Sequence, residues 1–285
     1  MIFFTKKNVL FLSLFVSLSF YSCESINPDE DIPGYIQIDK ISVSNDSKSL
    51  NLTDAWINID GNLLGIYELP AKFPVLSHGR HNIMVRAGIK VNGIAASRSF
   101  YPFFNSYQID TIIQAEKTIN LNPILQYHDN VNFILSENFE GNGSSLETIE
   151  KSDATISFVN SNVFDGNFSA GIFLNEDDTL FECQTIDAFR LPNDRSPIFF
   201  EMNYKNNNKF YVGLLIYTQS KIIHNPIIII NESENWNKIF IDLANTVNDY
   251  PEAYKFRLFI GAINNNKQNT ELYLDNLKLL TYKNE

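Results

Sequence analysis

His78 and His81 stand three residues apart in Leu76-Ser77-His78-Gly79-Arg80-His81, a spacing that resembles half of a metal site. In a turn leading into a strand, however, side chains three apart fall on opposite faces. No third histidine, cysteine or acidic ligand stands beside them, so His81 is expected to hydrogen-bond the start of its strand. Cys183, in Leu180-Phe181-Glu182-Cys183-Gln184, alternates with its neighbours as a strand residue does. Nothing beside it would activate a thiolate, and an unactivated cysteine packs as a small hydrophobe. No Gly-x-Ser-x-Gly elbow, His-Glu-x-x-His pair, phosphate-binding loop or dinucleotide fingerprint occurs. Two carboxylates set across a cleft could hydrolyse a glycoside, but 33 acidic residues offer many such pairs and their spacing selects none. The chain therefore reads as non-catalytic.

Cys23 carries a different chemistry. Lys6 and Lys7 precede a nearly unbroken apolar run from Val9 to Phe20, which ends in Tyr21-Ser22-Cys23. A cationic start, an apolar run shorter than the ~20 residues of a membrane span, and a cleavage site together make a secretory signal. With cysteine at that junction the segment resembles the lipobox of bacterial lipoproteins, in the looser form found in the Bacteroidota. The resemblance implies acylation of Cys23 as the first residue of the mature protein. Residues 1–22 are then the signal peptide, and residues 23–33 an acidic, proline-bearing tether with Glu24, Asp29, Glu30 and Asp31. Such tethers resemble the export signals of surface lipoproteins. The expected location is the outer membrane, lipid-anchored, with the cell surface favoured over the periplasmic face.

Composition narrows the partners. Loss of Lys6 and Lys7 with the signal takes the formal charge from −11 to −13, which argues against nucleic acid and against direct contact with an anionic membrane surface. Two cysteines become one free thiol once Cys23 is acylated, so neither an internal disulfide nor a thiolate zinc cluster can form.

The elements that must position these groups are strands. Tyr35 to Val43, Ala55 to Ile59 and Asn82 to Arg86 alternate apolar and polar residues, and Asp60-Gly61-Asn62 supplies a hairpin turn. Residues 34–127 are thus close to the ~100 of an immunoglobulin-like sandwich. Trp56 to Gly65, Leu69-Pro70 and Leu76 to Gly88 resemble the PEGA domain, which implies a scaffold or contact module of the envelope. Ser99-Phe100-Tyr101-Pro102-Phe103-Phe104 is either core seen through a bent strand or an exposed contact patch, and core is preferred.

Residues 133–283 hold many short strand-like runs separated by Asn- and Gly-rich turns, the pattern of a two-sheet all-β domain. Asn138-Phe139-Glu140-Gly141, Trp236 to Leu243 and Tyr273-Leu274-Asp275-Asn276-Leu277 resemble a carbohydrate-binding-module jelly roll. That family often holds a structural calcium near an acidic residue after the first strand's aromatic and an Asp on the last strand, here Glu140 and Asp275. Two carboxylates are only part of a shell of roughly six to eight oxygens. The alternative is that both hydrogen-bond the edges of the terminal strands. Trp236, Tyr204, Tyr211 and Tyr217 are the candidate sugar platforms, yet each lies in an apolar run where packing explains it. Asp110-Thr111-Ile112 and Asp178-Thr179-Leu180 match the Asp-Ser/Thr-apolar pattern of Bacteroidota O-glycosylation, at Thr111 and Thr179.

The expectation is an all-β lipoprotein of two sandwiches with no resident cofactor other than that calcium. It serves as a structural or accessory binding subunit beside an outer-membrane protein. The competing expectation is a glycan-binding surface protein using the C-terminal jelly roll.

Overall fold

The computed structural model describes residues 31–44, 51–264 and 269–283. Cys23, the signal segment and the tether up to residue 30 lie outside the described residues.

The protein is all-β, with two sandwiches in succession. The alternating start becomes β1 (Gly34–Ile38) and β2 (Ser42–Val43), and Ile36, Ile38 and Val43 turn inward. Strands β3 (Asp54–Ile59) and β4 (Asn62–Glu68) pair as the expected hairpin. Asp60 and Gly61 take φ values of 50° and 81°, the left-handed pair that a two-residue hairpin turn requires. Then follow β5 (Ala71–Val75), β6 (Gly79–Lys90), β7 (Arg98–Phe100), β8 (Tyr107–Ile113), β9 (Thr118–Leu121) and β10 (Ile124–Leu125). One layer runs β5-β1-β9, accompanied by the parallel pair β2 and β10; the other runs β4-β3-β6, with β7 and β8 on successive parts of β6.

The second sandwich is built from β11 (Val131–Glu137), β12 (Leu146–Thr148), β13 (Ser157–Val159), β14 (Ser169–Asn175), β15 (Leu180–Thr185), β16 (Phe199–Asn206), β17 (Phe210–Tyr217), β18 (Ile222–Ile230), β19 (Ser233–Asp242), α1 (Ala244–Asn248), β20 (Lys255–Ile263) and β21 (Asn269–Tyr282). A six-stranded sheet runs β13-β14-β21-β16-β19, with β11 also on β21, and faces a five-stranded sheet β12-β15-β20-β17-β18. Phe181, Cys183, Val212, Leu214, Leu258 and Ile260 of the smaller sheet meet Ile172, Phe200, Met202, Leu274 and Leu279 of the larger in one apolar core. Pro226 is tolerated within β18 because that strand is a sheet edge, where a missing N–H breaks no ladder.

The two sandwiches share a seam. Tyr101 is 2% exposed, and with Phe103 and Phe104 it packs against Phe199, Phe240 and Leu280 of the second unit in a single cluster. Tyr101 sits 5.4 Å from Phe199 and 5.0 Å from Phe240, ring to ring. Such aromatic pairs contribute about 0.5–1.5 kcal/mol each beyond area burial. The aromatic segment is therefore core, but the core of a joint between units rather than of the first sandwich alone. Backbone bonds reinforce the joint: Asn92 N–H donates to the Phe240 carbonyl at 2.8 Å, and Asp242 N–H to Asn92 Oδ1 at 2.9 Å.

Candidate functional site

Alternation on the five-stranded sheet gives its outer face a distinct composition. Phe210, Val212, Leu214 and Ile216 of β17 point into the core, which leaves Tyr211, Gly213, Leu215 and Tyr217 on the opposite face. By the same rule β20 presents Lys255, Arg257, Phe259 and Gly261 outward, and β15 presents Glu182 and Gln184. Cross-strand register aligns Glu182 with Gly261 and Tyr211 in one row, and Gln184 with Phe259 and Gly213 in the next.

The two glycines shape the middle of this face. A methyl group on Gly213 would collide with the Phe259 ring and the Asn225 carbonyl, and one on Gly261 would collide with the Tyr211 ring. Their absent side chains make a trough in which both rings lie low on the sheet. His224, from edge strand β18, reaches across it and stacks on Phe259 at 4.0 Å between centroids, with 20° between planes. Its Nε2 lies 3.0 and 3.2 Å from the two carboxylate oxygens of Glu182, and Tyr211 Oη donates to Glu182 Oε2 at 2.8 Å. Glu182 is only 8% exposed, so this is a nearly desolvated carboxylate with both oxygens bonded. Burial first, then the hydrogen bond and charge of Glu182, raise the Tyr211 phenol, which therefore keeps its proton and donates. Beside this array Glu147 Oε1 accepts from Gln184 Nε2 and Arg257 Nη1, each at 2.8 Å. At the far end the Lys255 ammonium lies 4.9 Å from the Tyr217 centroid.

The exposed ring of His224 and the half-buried ring of Tyr217, flanked by the Glu147, Gln184 and Arg257 groups, can stack on the C–H face of a sugar and bond its hydroxyls, while Phe259 lies buried beneath His224. Bond breaking is another matter. Cys183, next to Glu182 in sequence, points into the core, and burial pushes its thiol up to about 12. Among the described residues His224 bonds Glu182 and no serine, threonine or cysteine.

The other sequence-derived candidates lie elsewhere. Glu140 and Asp275 clasp one loop from two sides. Glu140 Oε1 accepts from the N–H groups of Asn167 and Phe168 at 2.7 and 2.8 Å, and Asp275 Oδ2 from those of Phe164 and Asp165 at 3.2 and 3.1 Å. Burial pushes Asp275 up to about 6, against the lowering effect of those bonds. The side chains accept N–H bonds that a cation would have to displace. No group of three or more His, Cys, Asp or Glu side chains suited to a metal occurs among the described residues, so any calcium at Glu140 and Asp275 would need most of its oxygens from backbone carbonyls. His81 pairs Nδ1 with Asp60 Oδ2 at 2.6 Å and Nε2 with the His78 carbonyl at 3.1 Å, clamping the β3–β4 turn. Thr111 lies half-buried on β8, while Thr179 is exposed with its hydroxyl donating to Asp153 Oδ2 at 3.0 Å.

Of the four candidate platforms, Tyr204 is core and Trp236 packs half-buried against Phe164 at 5.7 Å. Tyr211 and Tyr217 instead stand on the outer face, a correction to the expectation that packing explains them. Glu182, His224, Arg257 and Phe259 lie in no motif that marks them as site residues in the sequence. The available signal was Gly213 and Gly261, isolated glycines inside strong strand runs, which mark a close approach.

The sheets and the face just described make a two-sandwich β-protein with one structured polar-aromatic surface. No protein-family model and no curated protein matches the chain. Solved structures similar to it include carbohydrate-binding modules. The xylan-binding family 22 module of Paenibacillus barcinonensis Xyn10C has 9% identity and a TM-score of 0.41, covering 55% of this chain and 99% of that one. The C-terminal family 22 module of Clostridium thermocellum Xyn10B has 12% identity and a TM-score of 0.38, covering 54% and 97%. A family 29 module complexed with mannohexaose has 13% identity and a TM-score of 0.36, covering 54% and 94%.

Proposed function

We propose that the protein is a non-catalytic glycan-binding lipoprotein, acylated on Cys23 and displayed at the outer membrane. The binding surface is the outer face of the sheet β12-β15-β20-β17-β18. One observation carries the assignment of the surface: a nearly buried Glu182 on a solvent-facing sheet, its oxygens fixed by Tyr211 and His224 over a trough of two glycines. A sheet face that served only as a solvated exterior would have no reason to desolvate a carboxylate and order two rings around it. Mounting on strands rather than loops keeps the groups in place before a ligand arrives. Arg257, Gln184 and Tyr217, at the margins of the trough, are the groups we assign to direct sugar contact.

The test is binding of the full chain to an array of soluble polysaccharides, followed by titration calorimetry of the best ligand. Arg257→Ala and Tyr217→Ala should each weaken binding about tenfold with an unchanged melting temperature. No bound glycan, or equal binding by both variants, overturns the assignment. Fatty-acid labelling that leaves the mature protein without lipid at Cys23 overturns the anchor.

A second reading has its own support. On the first sandwich, outside the β4-β3-β6 sheet, Leu63 is 54% and Ile66 43% exposed. Trp56 stands nearby on β3, opposite Ile66 in register, with Phe100 5.8 Å away. This apolar face suits docking of the first unit on an envelope protein while the second projects its sheet outward. Co-purification of an outer-membrane protein from solubilised membranes, lost on Ile66→Asp, is the corresponding expectation.

A further inference from the structure

Beside the seam a cleft of about 370 Å³ opens between the two sandwiches, at the small end of the range for small-molecule sites. The first unit contributes Phe100 and Pro102; the second contributes Pro197 and Phe199, and these four form an apolar lining. Two charged residues also line it, Arg195 and Asp242. Among the described residues neither takes part in a salt bridge, whereas Arg98 and Arg257 each bond a carboxylate.

Arg195 is held in place at some cost. Its φ of 68° lies in the left-handed region, which a non-glycine residue with a long side chain seldom adopts. The turn is pinned on both sides, by Asp194 Oδ1 accepting from Ser196 N–H at 2.9 Å and Asn248 Oδ1 accepting from Arg195 N–H at 3.2 Å. Asp242 is likewise fixed: its Oδ1 accepts from Ala244 N–H at 2.9 Å and its own N–H donates to Asn92. Glycine would fit the Arg195 backbone without strain, so an Arg195→Gly change removes the guanidinium while keeping the turn.

We infer that this cleft binds a small zwitterion with an aromatic body, an aromatic α-amino acid. The ring lies on the lining of Phe100, Pro102, Pro197 and Phe199. The carboxylate pairs with the Arg195 guanidinium, whose planar fork matches two oxygens. The ammonium faces Asp242. A neutral sugar would leave both charges unneutralised, and an anion or cation alone would satisfy one and be repelled by the other. The cleft is distinct from the outer sheet face, so the two readings stand or fall separately.

Calorimetry on the full chain with L-phenylalanine, phenylacetate and phenethylamine tests it. L-phenylalanine should bind at least about tenfold more tightly than either half-molecule, since each lacks one charge-assisted contact. Arg195→Gly preserves the backbone and should weaken L-phenylalanine and phenylacetate about tenfold or more while leaving phenethylamine unchanged. Asp242→Asn, which keeps an acceptor for Ala244, should do the reverse. Absence of L-phenylalanine binding at about 10 mM, well above the ~1 mM of a weak site, overturns the inference. So does equal affinity for all three probes, or an Arg195→Gly protein that binds them as the wild type does.

Discussion

The Lys238 ammonium lies 2.7 Å from the Glu201 carboxylate, and both side chains are buried where the two sandwiches meet. The Tyr101 hydroxyl of the first unit donates to the same carboxylate, and the Tyr127 hydroxyl stands 3.4 Å from it. A carboxylate of the second unit thus anchors two phenols of the first. Burial alone would raise Glu201, but Lys238 and Lys278 with the hydrogen bonds from Lys238 and Tyr101 outweigh it, and the carboxyl sits below the usual range.

Removing Glu201 takes from the buried Lys238 ammonium the carboxylate it bonds in the seam. Glu201→Ala should therefore cost about 3–5 kcal/mol in denaturant unfolding, and Glu201→Met with Lys238→Met together should cost less than Glu201→Ala alone. Because the folded value is depressed, the stability the pair contributes is present above the unfolded glutamate range of ~4.3 and lost as pH falls through the folded value. Acid unfolding of the wild type should begin below that range. Equal loss from the single and double variants would contradict the account.

Asp275 has the opposite sign. Burial places its carboxyl at about 6, above the ~3.9 of an unfolded aspartate, so the native state holds the proton more tightly. Its contribution to stability is most favourable below the unfolded value and declines as pH rises from about 4 through 6. Denaturant midpoints of the wild type, after subtraction of those of Asp275→Asn, should fall across that window. A flat difference would show that Asp275 ionises freely in the fold.

Gly213 and Gly261 separate stability from binding. An added methyl at Gly213 meets the backbone carbonyl of Asn225 as well as Phe259, so Gly213→Ala should lower stability by about 1–3 kcal/mol. At Gly261 the obstruction is the outer end of the Tyr211 side chain, which can swing away. Gly261→Ala should melt near the wild type yet lose the Tyr211–Glu182 bond and bind glycan more weakly. Thermal melts paired with calorimetry distinguish the two.

Cys183 reports on the anchor. Its thiol, pushed up to about 12 by burial, should resist alkylation at pH 8 in the native protein. If Cys23 is acylated as proposed, protein taken from membranes should titrate one thiol in denaturant, and protein made without export should titrate two. Two thiols in the membrane-derived protein would remove the lipid assignment.

Much of the architecture was legible in local pattern. Period-two alternation and the Asp60-Gly61 turn give the β3–β4 hairpin without reference to anything distant. Pro226 interrupts the apolar run around it, and only its place on an edge strand shows why β18 continues through it. The aromatic segment at Tyr101 was ambiguous between core and contact patch because both need the same residues; its partners, Phe199 and Phe240, come from another unit about 100 residues or more away.

The candidate site was less legible for the same reason. Glu182, Tyr211, His224 and Phe259 come from four different strands, and no spacing along the chain relates them. Sequence by itself determined the all-β class, the hairpin turn and the inward or outward alternation of each strand, since these depend on neighbours within a few residues. It also placed Cys23 behind a short apolar run, where the expectation of a lipid anchor originates. Tertiary structure alone decided which outward residues share a face, that two glycines make room for two rings, and that Glu201 is buried between two sandwiches. Register and packing between distant strands fix those relations, and they exist only once the chain has folded.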